Sequence, residues 1–161
     1  MKRFINIVAI AFLLVATSAC KSYHYNIGDE YSTFDFKTQC LNIDPNGTLT
    51  LRAWGSGANK SKAIAHAQRK ALESVIFDGI TNGAVNCDKR PLIFTVNARE
   101  RYKVYFDNFF SSDIYKKYVT LDNKKNSRIK SSNSTMETWG VVVYVNRDAL
   151  RQHLTEDNII N

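Results

Sequence analysis

The chain has 161 residues, of which 44% are hydrophobic and 23% charged, and it carries 22 Lys and Arg against 15 Asp and Glu. This composition is close to a globular average and excludes a wholly disordered, collagen-like or coiled-coil protein. With two Pro and seven Gly it also excludes a low-complexity linker protein. We therefore expect a folded, basic protein.

The first element in the chain is a predicted signal sequence. The chain begins Met-Lys-Arg, continues with an apolar run over residues 4–16, and reaches a group of small residues that ends in a cysteine. A charged start, an apolar stretch and a small-residue cleavage site together form an export signal. The run is too short for a transmembrane helix, which needs about 20 apolar residues. Residues 1–19 are therefore predicted to be a signal peptide.

The residues at the predicted cleavage site, numbers 17–20, read Thr-Ser-Ala-Cys and resemble the lipobox of bacterial lipoproteins. In that family the cysteine is diacylated and becomes the new N-terminus, which implies lipidation of Cys20 and a lipid anchor. By resemblance to lipoprotein sorting signals, Lys21 favours the outer membrane. The alternative is ordinary cleavage after Ala19, which leaves Cys20 as a plain thiol.

The rest of the chain is predicted to be one domain on a short tether. Residues 20–32 are expected to be the lipidated tether and residues 33–161 a single α+β domain. Two further cysteines, Cys40 and Cys87, lie in this domain. An exported compartment permits a disulfide between them, which chain-entropy reasoning values at about 4 kcal/mol. Two separate buried thiols are the alternative.

Alternating apolar and polar residues predict a β-hairpin at the start of the domain. Residues 34–40 and 48–54 show this alternation, and residues 44–47 between them read Asp-Pro-Asn-Gly. Pro presets φ and Gly accepts positive φ, which is turn chemistry. Residues 55–57, which read Gly-Ser-Gly, are expected to break the second strand.

A helix is predicted from Lys60, with Asn59 or Ser61 as its N-cap, and its expected end lies between Gly79 and Gly83. The apolar residues at helical spacing, expected to face the sheet, are Ile64, Ala67, Ala71, Leu72, Val75 and Ile76. The polar residues expected on the opposite face are Lys62, His66, Arg69 and Glu73. Alanines on the inner face would let the helix lie close to the sheet.

The middle of the chain is predicted to contain a strand and an aromatic helix. Residues 92–96 are mainly apolar and indicate a third strand. Residues 97–100, Asn-Ala-Arg-Glu, come close to a capping box and begin a helix. Its aromatic side chains, within residues 102–110, are expected to be core, with a partner groove as the alternative. Residues 111–113 interrupt this helix, and residues 114–119 can resume it.

The last part of the chain is predicted to contain a polar loop, a strand and a helix. Residues 122–134 are polar and basic, and residues 136–145 form a strand that is apolar on both faces, as in a central strand. Asn146 or Asp148 caps the last helix. The predicted fold class is therefore α+β, with one antiparallel or mixed sheet and two to three helices packed on it.

One segment of the chain resembles a class of known proteins. Residues 49–83 combine a strand, a Trp-Gly-Ser-Gly turn, the residues Lys-Ser-Lys-Ala and an Ala-rich helix that ends in Gly. This looks like small bacterial envelope lipoproteins, among them accessory lipoproteins of flagellar outer-membrane assembly. Residues 99–110 and 139–145 resemble lipoproteins of gut Bacteroidota. The resemblance implies a fold and a compartment, but no activity, because function lives in sites.

The motifs of enzymes and cofactor sites do not occur at the required spacings. Residues 55–61 follow a strand and open a helix, as a phosphate loop does, but Asn59 stands where a Walker A loop needs Gly. A tight strand-to-helix connection is the structural interpretation. His24, His66 and His153 lack metal-ligand spacing and are expected to be solvated. We therefore predict no catalytic residue, no metal and no cofactor.

The clearest functional signal is a basic segment. Its cations are Lys116, Lys117, Lys124, Lys125, Arg128 and Lys130. Asp122 is the one acid among them, so the positive charge of the mature chain is concentrated here. For a lipidated envelope protein the available anions are lipid head groups, lipopolysaccharide phosphates and acidic proteins, not nucleic acid. A solvated loop without a partner is the alternative.

Two functions follow as hypotheses. The first is a non-catalytic accessory, assembly or binding module, anchored at the outer membrane by lipid. Its basic segment would contact an anionic envelope component or another envelope protein. The second is an envelope hydrolase or small-ligand binder with a pocket near Gly55–Gly57.

Overall fold

The computed structural model describes residues 36–129 and 135–161, with the backbone alone for residues 125–129. The predicted signal peptide, lipidation site and tether lie outside the described residues, as do His24 and Lys130. The described residues form a mixed sheet with helices packed on it, which confirms the predicted α+β class.

Five strands make up the sheet in the described part of the chain. They are β1 (Gln39–Ile43), β2 (Thr48–Gly57), β3 (Asn82–Gly83), β4 (Val119–Ile129) and β5 (Glu137–Asn146). Their order is β3-β1-β2-β5-β4, and only the pair of β1 and β3 is parallel. The α-helices are α1 (Lys60–Glu73), α2 (Ala98–Arg101), α3 (Lys103–Ser111) and α4 (Arg147–Glu156). A π-helical turn (Ser74–Asp78) continues α1, and a 3-10 turn (Ile114–Lys117) precedes β4.

The predicted hairpin is confirmed, but its strands have other limits. Gly47 has a φ of 78°, and its N–H donates to the carbonyl of Asp44 over 2.9 Å. The first strand begins at Gln39, and residues 36–38 have no regular structure. The second strand does not break at residue 55 but continues to Gly57.

Helix α1 lies directly against β2 because the residues at the contact are small. A Cβ atom on Gly55 would lie 2.3 Å from both the carbonyl oxygen of Ala63 and the backbone nitrogen of Ala67. The glycine therefore permits close backbone contact and does not end the strand. Of the two predicted N-caps, Asn59 is the one that accepts a hydrogen bond, from the N–H of Lys62 over 3.0 Å.

The helices cover one face of the sheet. Alternate residues of the two central strands belong to the hydrophobic core, namely Leu49, Leu51, Ala53, Val141, Val143 and Val145. Leu150 and Leu154 of α4 share that core with the alanines of α1. Because side chains alternate along a strand, Thr50, Arg52 and Tyr144 lie on the other face, where each is at least partly exposed. The fold therefore has two layers.

The prediction of a strand over residues 92–96 is wrong. The N–H groups of Leu92 and Ile93 donate to the carbonyls of Val75 and Ile76, each over 2.9 Å. These amides therefore bond the π-helical turn after α1 and are not available to a sheet. Only the first part of the apolar run is buried, and Phe94 is 68% exposed.

The aromatic helix differs from the prediction at its start. Asn97 adopts the left-handed conformation, with φ of 55°, and its side chain makes no capping bond. The helix is divided at Tyr102 into α2 and α3. Its aromatic residues are core, as expected, since Phe106, Phe109 and Phe110 are buried. Beyond it, the predicted resumption over residues 114–119 is limited to the 3-10 turn.

The prediction of a loop over residues 122–134 is wrong up to residue 129. These residues belong to β4, which pairs with β5 because that central strand has β2 on its other side only. Asp122 lies opposite Val142, whereas Ser127 lies opposite Gly140. Several residues of β4 therefore oppose a single residue of β5, which is a bulge. The strand was not predicted because its residues are mainly polar, and a strand at the edge of a sheet can be polar.

Candidate functional site

The predicted basic segment lies on the outermost strand and the turn before it, and we call it the basic strand. Lys117 and Lys124 are exposed, and the backbone of Lys125 and Arg128 lies in β4. Lys116 donates to the carboxylate of Asp113 over 2.7 Å, so its charge is paired. The structure thus gathers most of the predicted cations at one sheet edge.

The acid within the basic strand is already occupied. Asp122 accepts a hydrogen bond from the hydroxyl of Tyr144 over 2.8 Å and another from the backbone N–H of Lys124 over 2.9 Å. The bond from Tyr144 to this carboxylate raises the pKa of the Tyr144 hydroxyl. Asp122 therefore supports the β4–β5 pairing through its bond from Tyr144.

The predicted disulfide is confirmed. Cys40 of β1 is bonded to Cys87, and their Cα atoms lie 6.3 Å apart. The residue after Cys87 continues the connection, because the carboxylate of Asp88 forms an ion pair with the guanidinium of Arg147 at 3.0 Å. Burial raises the pKa of Asp88, but the N–H of Arg90 and the charge of Arg147 outweigh it and lower the pKa. The disulfide and the Asp88–Arg147 ion pair together connect β1, the loop after β3 and α4.

The assignment of Glu73 to an exposed helix face is wrong. Glu73 is 8% exposed, and its carboxylate lies 2.9 Å from Nε of Arg69 and 3.2 Å from Nζ of Lys70. Arg99, from α2, lies 3.8 Å away and also contacts Asp78. Burial alone would raise the pKa of Glu73, but the hydrogen bond from Arg69 and the charge of Lys70 outweigh it, so the pKa is lowered. This is a structural ion-pair network.

The two described histidines behave differently. His66 is exposed as predicted, with Nδ1 3.2 Å from the backbone nitrogen of Ser56. His153 is not solvated, because its ring stacks at 5.8 Å on Phe109 and at 5.3 Å on Tyr118. The exposed fraction of its side chain is 24%. The sequence concealed this because the aromatic partners lie on other elements.

An acid and a tyrosine complete the aromatic cluster around His153. The hydroxyl of Tyr105 donates to the carboxylate of Asp157 over 2.6 Å, and Nε2 of His153 lies 3.5 Å from the same carboxylate. Burial and this hydrogen bond raise the pKa of the Tyr105 hydroxyl. These contacts pack α3 against the C-terminal end of α4.

The connection at residues 55–61 has the geometry of close packing. A Cβ atom on Gly57 would lie 2.7 Å from the backbone nitrogen of Ala63. Lys60 lies with its Nζ 4.4 Å from the centre of the Trp139 ring, so its charge is placed on an aromatic face. Both observations support the structural interpretation of this stretch over a phosphate loop.

Two cavities of the described chain lie away from that connection. The first, of about 500 Å³, is bordered by Trp54, Lys70 and Asp78. Two charged side chains at this cavity already form ion pairs, Lys70 with Glu73 and Asp78 with Arg99. Gly55–Gly57, where the sequence suggested a pocket, borders neither cavity.

The second cavity, of about 450 Å³, is the arginine groove. It is lined by residues 92–95, 101–102, 151 and 158–161. Four separate segments meet here, and none of them was predicted as a site. No sequence motif could have revealed the groove, because it exists only after the segments fold together.

The described residues show no metal centre. They contain no group of three or more His, Cys, Asp or Glu that could hold a metal ion. Within the same residues, we find no helix with the length and apolar character that a bilayer span requires. Comparison of the chain with protein-family models, with curated proteins and with solved structures finds no match.

Proposed function

We propose that the protein is an exported, lipid-anchored, non-catalytic binding module of the bacterial cell envelope, placed at the outer membrane through Cys20. Its basic strand contacts an anionic partner, either an acidic envelope protein or an anionic envelope component. The accessory or assembly role follows from this contact.

The position of the basic strand carries the proposal. It forms the outer edge of the sheet, and no further strand of the described chain covers that edge. Lys117 and Lys124 are exposed on it. Charged residues and a bulge also protect an edge from aggregation, so an edge of this kind suits contact through side chains.

The disulfide supports the proposal that the protein is exported. Disulfides form and persist in exported proteins and are rare in the reducing cytosol. Cys40 and Cys87 are bonded, which agrees with the export signal at residues 1–19. The acids Glu73 and Asp88 are paired with cations in structural networks, which agrees with a structural role for both.

The first test is the native mass of the full protein, extracted from its own membranes in mild detergent. The proposal predicts the mass of a diacylated chain that begins at Cys20, with the disulfide intact. It also predicts a second component bound in fixed stoichiometry at low salt. A mature chain without lipid would contradict the anchor, and a chain that stays alone would contradict the partner.

A matched pair of variants locates the contact. K124Q/K125Q/R128Q removes three charges from the basic strand, whereas K62Q/K89Q/R52Q removes two Lys and one Arg from other exposed positions. We expect the first variant to lose most of the bound component at low salt and the second to retain it, because only the first changes the contact. Equal retention by both would remove the basic strand from the proposal.

A further inference from the structure

The walls of the arginine groove are held in place by backbone hydrogen bonds. On one side the N–H groups of Leu92 and Ile93 bond the carbonyls after α1. On the other, Asn158 turns the chain with φ of 57°, and the N–H of Ile159 donates to the carbonyl of Leu154 over 2.8 Å. The groove is therefore formed before anything enters it, which lowers the entropic cost of binding.

Apolar, polar and cationic side chains all line the groove. Leu92 and Ile93 are each 4% exposed, and Tyr102 and Ile159 are half-buried. The arginines that line the groove, Arg101 and Arg151, are exposed. A molecule in the groove can therefore contact apolar side chains and guanidinium groups together.

The two arginines of the groove have no carboxylate partner within the described residues. Elsewhere in the chain, Arg69, Arg99 and Arg147 each contact a carboxylate within 4.0 Å. Arg101 lies instead with its guanidinium 5.7 Å from the centre of the Tyr102 ring. Guanidinium groups bind carboxylates through paired hydrogen bonds, so these two are available for an acid from another molecule.

We infer that the arginine groove binds an acidic peptide segment of a partner protein, with an apolar side chain in the cavity and a neighbouring carboxylate on Arg101 and Arg151. Phe94 lines the groove and is 68% exposed, so apolar surface extends beyond the cavity itself. Such an extension suits a chain segment better than a compact small molecule. Arg, Tyr and aromatic side chains are also the usual anchors of protein interfaces.

This binding site is separate from the basic strand, and it depends neither on the lipid anchor nor on the proposed function. A fluorescein-labelled peptide of three Glu-Leu repeats is the probe, titrated into the full-length protein in mild detergent and followed by anisotropy. We expect it to bind at least about tenfold more tightly than peptides of Glu-Ser or Lys-Leu repeats. The first comparison peptide lacks the apolar group, and the second has the opposite charge.

Variants assign the binding to the groove. R101Q/R151Q is expected to weaken the Glu-Leu peptide by about tenfold or more, because it removes both charges and leaves hydrogen-bonding side chains. F94S is expected to weaken it severalfold. R52Q/K62Q, which removes two exposed charges elsewhere, should change the affinity less than about twofold.

Several results would overturn the inference. Equal affinity for all three peptides would show contact without recognition. Loss of binding in K124Q/K125Q/R128Q, with R101Q/R151Q unchanged, would move the peptide to the basic strand. Octanoate that binds as tightly as the peptide, with the same dependence on the two arginines, would make the groove a site for small carboxylates.

Discussion

At the scale of single residues, tertiary contacts changed the role of several side chains. By helical periodicity Glu73 has the position of an exposed residue. Arg99 from another helix nevertheless contacts its carboxylate, and Glu73 is buried. His153 likewise joins rings from α3 and from the residue before β4. Periodicity places a residue on a helix face, but it cannot tell which other element covers that face.

The pKa of Glu73 leads to a prediction about stability. Its pKa is lowered in the folded protein, so its contribution is fully present above the unfolded pKa and is lost as the pH falls through the folded pKa. We expect E73Q to lower the free energy of unfolding by about 2 kcal/mol at pH 7. This difference should shrink as the pH falls below 4.5, the ordinary pKa of a glutamate, because the carboxylate of the native protein then becomes protonated.

Urea unfolding at several pH values measures this effect. E100Q is the matched control, because Glu100 is an exposed glutamate near the same network. We expect E100Q to follow the native protein at every pH. A difference between E73Q and the native protein that stays constant down to pH ~2.5 would contradict the assigned linkage.

At the scale of elements, the hairpin and the first helix could be predicted because local chemistry decides them. The Asp-Pro-Asn-Gly turn and the Asn59 cap act within a few residues, and the structure contains both. Neither the lack of a strand at residues 92–96 nor the presence of β4 could be predicted, since strand pairing depends on which neighbour is free. The apolar residues Leu92 and Ile93 bond to carbonyls after α1, whereas the basic segment pairs with the open side of β5.

The contact between α1 and β2 gives a prediction at this scale. G55A adds a Cβ atom that would lie 2.3 Å from backbone atoms of Ala63 and Ala67, which cannot rotate away. We expect the helix to be displaced and the protein to lose about 3 kcal/mol of stability, measured by chemical denaturation. S61A, at an exposed position of the same helix, should change stability by less than about 0.5 kcal/mol. A similar effect of both substitutions would contradict the close packing.

At the scale of the whole molecule, one covalent bond links distant parts of the chain. The disulfide joins residues separated by 47 positions, a span that includes all of α1. The Arg147–Asp88 pair then connects the same loop to α4. The disulfide and this ion pair thus stabilise the edge of the sheet formed by β3, a strand of only two residues.

Removal of the disulfide tests its contribution. Reduction should lower the free energy of unfolding by about 4 kcal/mol, because the unfolded chain regains the freedom of a long loop. Denaturation with and without dithiothreitol measures the loss. C40S/C87S should have the lower stability in both conditions and no response to the reductant. An oxidised protein no more stable than the reduced one would show that native contacts alone hold the loop.

The sequence by itself determined the hairpin turn, the first helix, the aromatic core helix and the α+β class, and it predicts the export signal. These depend on local propensity and on hydrophobic periodicity, which act over a few turns of chain. Only the tertiary structure decided that the basic segment is an edge strand, that Glu73 and His153 are covered, and that Arg101 and Arg151 share a groove. Each depends on contacts between distant segments, whose partners are chosen by packing of the whole domain and are not encoded at any one position.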